Sequence, residues 1–155
     1  MWKAFGEWLA TSDMSSTRVY QKFIPSENIA LQGIRTFIII YNNPSFTSLN
    51  MKLYSNRSGA PAGLISTSTN APTKAQIITL DHGLKEIYFD FNNEVLKADE
   101  TYHFVLNATG YTGTTTSHIA WKHSYPDPAY QTNVNMSAEG AYVTPFDLSI
   151  FGRKL

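Results

Sequence analysis

The side chains that could do chemistry in this chain are twelve carboxylates and four histidines, with no cysteine beside them. Glycoside hydrolysis needs two carboxyl groups about 5–9.5 Å apart across a cleft. Glu86 and Asp90 share the polar face of one alternating segment, but four residues at about 3.3 Å each set them roughly 13 Å apart. The other acids, among them Glu7, Asp13, Glu27, Asp81, Glu94, Asp99, Glu100, Asp127, Glu139 and Asp147, fall mostly at turns or on polar faces. No Gly-x-Ser-x-Gly, His-Glu-x-x-His or phosphate loop is present. No catalytic residue is assigned, and the chain reads as non-enzymatic. His118 and His123 are five positions apart on one strand, so they leave opposite faces and cannot share a metal without a bulge. His82 sits in a turn, and His103 points away from the Tyr102 face. No metal or cofactor site is expected. A structural Ca²⁺ needs only oxygen ligands, but no loop has the dense Asp spacing that would single one out.

Aromatics are the remaining recognition chemistry. Tyr111, Trp121, Tyr125, Tyr130 and Tyr142 cluster in the second half, where an exposed row would stack on sugar rings or anchor a protein partner. Trp121 shares a strand face with Ile119, which favours core packing. Tyr125 and Tyr130 flank Pro126-Asp127-Pro128, a rigid loop, and loops on rigid scaffolds commonly carry recognition. A second group, Trp2, Phe5, Trp8 and Leu9, recurs at spacings of three and four, one stripe of a short helix. Residues 1–16 therefore read as an aromatic arm with a polar link, and residues 17–155 as the body. Two destinations stay open for the arm: its own sandwich, or another subunit or assembly.

Composition narrows the partners. The chain has 155 residues, 43% hydrophobic and only 15% charged, with twelve basic and twelve acidic side chains. That length suits one domain with a substantial core. Zero net charge leaves no electrostatic footprint for a phosphate backbone, so nucleic acid is not an expected partner. The same neutrality leaves copies of the chain with little mutual repulsion. No apolar run approaches the ~20 residues of a membrane span. Gly6 and Glu7 interrupt the N-terminal segment, which does not read as a secretory signal. If Met1 is the natural start, the chain is made in a cytosol.

The elements that would position these residues are almost all strands. Residues 18–24 alternate, and Pro25-Ser26 ends them. Residues 31–41, LQGIRTFIIIY, are β-branched and read as a buried strand. Residues 48–56 put Leu49, Met51 and Leu53 on one face. A short polar edge-like strand follows Pro61, and QIITL (76–80) is expected as another strand. Residues 83–107 carry two alternating triplets, Ile87, Phe89, Phe91 and Tyr102, Phe104, Leu106, read as a central strand pair. Residues 117–125 alternate around Trp121, residues 129–140 read as a long loop with room for one edge strand, and residues 141–153 as one closing strand with Phe146, Leu148 and Ile150 inward. About eight or nine short strands with almost no helix predict an all-β, antiparallel β-sandwich.

Several stretches resemble a jelly-roll module found in bacterial surface proteins, attached to secreted enzymes, and in phage virion proteins. YQKFIPSENIALQGIRTFI is similar to its first strands, SGAPAGLISTS to its Gly-x-Pro-Gly-x-Leu-x-x-Ser stretch, IYFDFNNEVLKADETYHFVL to its aromatic strand and Leu-x-Ala-(Gly)-x-Thr-Tyr-x-x-Val-Leu segment, and FDLSIFGR to its closing strand. Ala62 and Asp99-Glu100 depart from the pattern where the module often has Gly. The resemblance covers residues 18–153 and implies a non-catalytic jelly-roll module for structure or binding. The leading expectation is a phage virion component, a capsid decoration, head-fibre or tail-associated protein, docked by its arm on other virion proteins or copies of itself. The rival is a carbohydrate-binding module, located in a virion or on a bacterial surface or secreted.

Overall fold

Alternating apolar residues line the inner faces of two antiparallel sheets in the computed structural model, which describes residues 2–4, 20–78, 85–112, 117–122, 141–143 and 148–155. The larger sheet has six strands: β1 (Trp2–Ala4), β3 (Ile29–Tyr41), β6 (Lys85–Leu96), β8 (His118–Lys122), β9 (Ala141–Val143) and β10 (Ser149–Lys154). The smaller has four, in the order β2 (Gln21–Phe23), β7 (Tyr102–Thr109), β4 (Ser48–Arg57), β5 (Ala60–Thr67). Strand β3, 13 residues long, is the spine of the larger sheet. One of its edges pairs with β6; the other pairs with β10 over Ile29–Arg35 and with β8 over Ile38–Tyr41.

The core between the sheets includes Phe23, Ile34, Ile38, Leu49, Met51, Leu53, Phe89, Phe104 and Leu106, all with no exposed surface. Burying each such side chain stabilises the fold by about 1.5–3 kcal/mol before chain entropy is counted. Both predicted triplets, Ile87/Phe89/Phe91 and Tyr102/Phe104/Leu106, are buried.

Their strands do not pair with each other, however. β6 belongs to the larger sheet and β7 to the smaller, so the triplets belong to opposite sheets of one core. Period-two alternation specifies a buried face but not the neighbour, and this connection crosses between sheets instead of closing a hairpin. The crossover is strapped down. Asp99 adopts a φ of 63°, its N–H donates to Pro25 O at 2.9 Å, and Ala98 N–H donates to Asn28 Oδ1 at 2.8 Å. Tyr102 Oη accepts from Lys97 N–H at 2.9 Å and donates to Glu100 at 3.1 Å.

Three other expectations are corrected. The strand expected at 76–80 is instead α1 (Lys74–Ile78) as far as the described residues extend. Thr73 and Gln76 form a capping box, with Gln76 N–H on Thr73 Oγ1 at 3.3 Å and Thr73 N–H on Gln76 Oε1 at 2.9 Å, and this overrides the β-branched Ile77 and Ile78. Residues 141–153 contain two strands, β9 and β10, paired with each other in the register Ser149↔Val143 to Phe151↔Ala141. Leu148 and Ile150 are fully buried, while Phe146 lies outside the described residues. In the N-terminal arm, Trp2–Ala4 is extended rather than helical and adds β1 to the larger sheet beside β8. The boundary expected at residue 16 and the loop expected at 129–140 lie outside the described residues.

Candidate ligand-binding face

A bulge in β3 sets which side chains face outward. Before it, Ile29 and Leu31 point to the core; after it, Ile34 and Ile38 do. The register shift between Leu31 and Gly33 against β6, matched by the shift at Phe151/Gly152 of β10, accommodates the extra residue Gln32. Because strand periodicity is two, one inserted residue transfers Gly33, Arg35 and Phe37 to the outer surface. Across the strands the outer rows are then Asp90–Gly33–Phe151 and Tyr88–Arg35–Ser149, with Glu86 opposite Phe37.

These rows form an aromatic and charged platform. The Tyr88 ring lies over Gly33, is 44% exposed, and stands 5.9 Å from the Phe151 ring at an interplanar angle of 42°. Arg35 sits at the centre, its guanidinium 5.9 Å from the ring centroids of both Phe37 and Phe151. It donates through Nη2 to Ser149 Oγ at 3.3 Å and lies 3.7 Å from Glu86 through Nη1. That ion pair is solvent-exposed and contributes little to stability, but it sets a carboxylate beside the guanidinium. Burial pushes the Tyr88 phenol pKa up, and the Asp90 carboxylate beside it adds to the rise.

The platform adjoins a cleft of about 440 Å³ lined by Asn70, Pro72, Gln76, Ile77, Glu86 and Tyr88. Asn70 fixes its wall by acting as a substitute strand. Its Nδ2 donates to Tyr88 O at 2.9 Å and its Oδ1 accepts from Asp90 N–H at 2.6 Å, while Thr69 N–H donates to Asp90 O at 2.8 Å. The edge of β6 is thereby capped where Tyr88 projects. A second concavity of about 390 Å³, between β5 and the β6–β7 crossover, is lined by Asn56, Ile65, Val95 and Glu100, with Tyr102 buried in its wall.

Chemically, the Tyr88 face offers a half-exposed ring, carboxylate acceptors on either side of it, and a guanidinium partly engaged by Ser149 and Glu86. Among the described residues no group of three or more His, Cys, Asp or Glu is placed to hold a metal. No helix among them is long and apolar enough to cross a membrane.

Of the residues singled out from sequence, only some fall among the described residues. Tyr111 is only 9% exposed and belongs to the core, its Oη accepting from Ile119 N–H at 3.4 Å, so it joins no exposed row. Trp121 stands in β8 opposite Ile38 and Lys3, Tyr142 in β9 opposite Ile150, and Trp2 in β1 opposite Lys122. Phe5, Trp8, Leu9, Tyr125 and Tyr130 lie outside the described residues. Sequence reading passed over Tyr88, Phe37, Phe151 and Arg35. Two signals were present: a lone aromatic between Glu86 and Asp90 on a polar strand face, and Gly33 inside a β-branched strand, where a glycine often marks close approach by another group.

In comparisons with known proteins, the chain matches no family model, no curated protein and no solved structure.

Proposed function

We propose that this chain is a non-enzymatic binding module that takes carbohydrate on the Tyr88 face of its larger sheet. The observation that carries the reading is the Tyr88 ring, held across Gly33 on the larger sheet, half-exposed, and bordered by a cleft with mixed polar and apolar walls. A sugar ring presents one face of C–H groups and a rim of hydroxyls. A flat aromatic surrounded by hydrogen-bonding groups complements both, and binding sites commonly combine apolar surface with a few placed polar groups. Sites on strands are also positioned more tightly than sites on loops.

The sequence resemblance supports a jelly roll as the finer description of the sandwich, and the chain's repeated passage between sheets, β2 to β3 to β4 and β5 to β6 to β7, is compatible with it. The same resemblance supports a virion, as a decoration, head-fibre or tail-associated component, or a bacterial surface as the place where such a module works. Binding of the intact protein to a glycan array, followed by Tyr88→Ala, tests the reading. Binding lost in a variant that keeps its melting temperature supports it. An array without any ligand, or binding indifferent to Tyr88→Ala, overturns it.

A further inference from the structure

Resting on that reading of the Tyr88 face, we infer that the ligand is a neutral saccharide and that the face rejects acidic sugars. The argument is a balance of charge in a small area. Across the three successive outer pairs Gly33–Asp90, Arg35–Tyr88 and Phe37–Glu86, one guanidinium, Arg35, stands with two exposed carboxylates, Glu86 and Asp90. Glu86 and Asp90 lie two residues to either side of Tyr88 on the same strand, so each is about 6.6 Å along β6 from it.

Asp90 is opposite Gly33, the residue over which the Tyr88 ring lies, which places this carboxylate at the rim of the ring. A sugar stacked there would bring its hydroxyls to an acceptor-only group. An ionised carboxylate accepts two hydroxyl hydrogen bonds from a vicinal diol, and charge-assisted bonds of this kind are about twice as strong as neutral ones. A uronate or sialate carboxylate at the same rim meets like charge instead.

Arg35 does not reverse that preference. Its Nη1 lies towards Glu86 and its Nη2 on Ser149, its Cζ is 5.9 Å from the Phe37 and Phe151 ring centroids, and its Nε is buried without a partner. An acidic ligand reaching it would share the guanidinium with Glu86 and meet that carboxylate's like charge. Arg153 is exposed and stands opposite Ala30, beyond the β10 register shift, at the margin of this face. In this arrangement the carboxylates select hydroxyl donors, and the guanidinium orients Glu86.

The experiment measures the affinity of the full chain for four hexasaccharides of matched length: cellohexaose and mannohexaose as neutral probes, a galacturonate hexamer as the acidic one, and a glucosamine hexamer as a cationic control. The expected result is binding of a neutral probe at least ~10-fold tighter than the galacturonate hexamer, equivalent to about 1.4 kcal/mol. Asp90→Asn should keep the fold and shrink that ratio, because the amide no longer repels a carboxylate. Preferred binding of galacturonate that Tyr88→Ala or Arg153→Ala abolishes overturns this inference while leaving the sugar site standing. Binding of the glucosamine hexamer alone overturns it in favour of cation recognition by the ring and its acids. Binding of neutral probes unaffected by Tyr88→Ala removes the site, and the inference with it.

Discussion

The Tyr88 ring occupies the space that a side chain at Gly33 would need: a Cβ built there falls 2.1 Å from Tyr88 Oη and 2.4 Å from Cζ. Gly33 has a backbone conformation open to other residues, so its requirement is steric rather than conformational. Gly33→Ala should therefore lift the ring off the sheet without removing it. Affinity for the sugar bound by the intact protein should fall about tenfold or more, while stability changes by only about 1–2 kcal/mol, in the range of a local overpacking. Titration calorimetry on Gly33→Ala and Tyr88→Ala together checks this. Unchanged affinity in Gly33→Ala would show that the flat placement of the ring has no part in binding.

Asn70 should behave as a piece of the sheet. Its carboxamide donates to Tyr88 O and accepts from Asp90 N–H, as a neighbouring strand would. Asn70→Asp keeps the shape but replaces the donor with a charged acceptor facing a carbonyl, so it should destabilise more than Asn70→Ala, where water can take over. The expected costs are about 0.5–1.5 kcal/mol for Ala and more for Asp. Urea denaturation gives the ranking, and faster hydrogen exchange at the Asp90 amide should accompany both variants. Equal stability of the three proteins would mean that the β6 edge is held by the Thr69 bonds alone.

How much of this was legible in the sequence depends on how local the cause is. The inward faces of β4, β6 and β7 follow from alternation within each strand, and Leu49, Met51, Phe89 and Phe104 are buried as expected. Alternation carries no information on pairing, and so β6 and β7 were read as neighbours although they lie in opposite sheets. The capping box at Thr73 and Gln76 was legible in principle, but Ile77 and Ile78 invite a strand reading and a five-residue helix leaves little periodicity to oppose it. The Tyr88 face was the least legible feature. It is assembled from three strands and depends on the extra residue in β3, whose position is a property of the register rather than of any one segment. The aromatic cluster expected in the second half failed at Tyr111 because aromatic residues mark cores as readily as surfaces.

Phe104 tests the two-sheet core directly. It is fully buried on β7, and its ring lies 5.8 Å from that of Phe23 on the adjacent β2, at 45°. Phe104→Ala should cost about 3–5 kcal/mol. In a double-mutant cycle with Phe23→Ala, the coupling should be about 0.5–1.5 kcal/mol, as expected for a tilted aromatic pair. Thermally silent Phe104→Ala would contradict the burial, and strict additivity would contradict the contact. Because these costs are a large fraction of the stability of a typical domain, the cycle is best run with Phe→Leu as a parallel series.

His103 gives the fold a calculable pH dependence. Its ring is fully buried beside Tyr20, whose ring meets it edge-on at 5.1 Å, and its Nε2 lies 2.8 Å from Asn56 Oδ1, to which it donates. Nδ1 is buried without a partner, so protonation there would create a buried N–H with nothing to accept it. Burial, with the nearby Lys22 cation adding to it, lowers the His103 pKa to about 4. The folded state thus resists a proton that the unfolded chain accepts at its ordinary pKa near 6.5. As pH falls, the unfolded chain gains protons first, and the contribution of this group, complete above about pH 6.5, is lost progressively down to about pH 4. By pH 4 the loss should reach about 3 kcal/mol, at roughly 1.4 kcal/mol per unit of pKa difference. His103→Gln removes the titrating group, so its stability measured by urea melts between pH 4 and 7 should run flatter than that of the native chain by this amount. Parallel curves for the two proteins would show that the ring takes up its proton as freely in the fold as outside it.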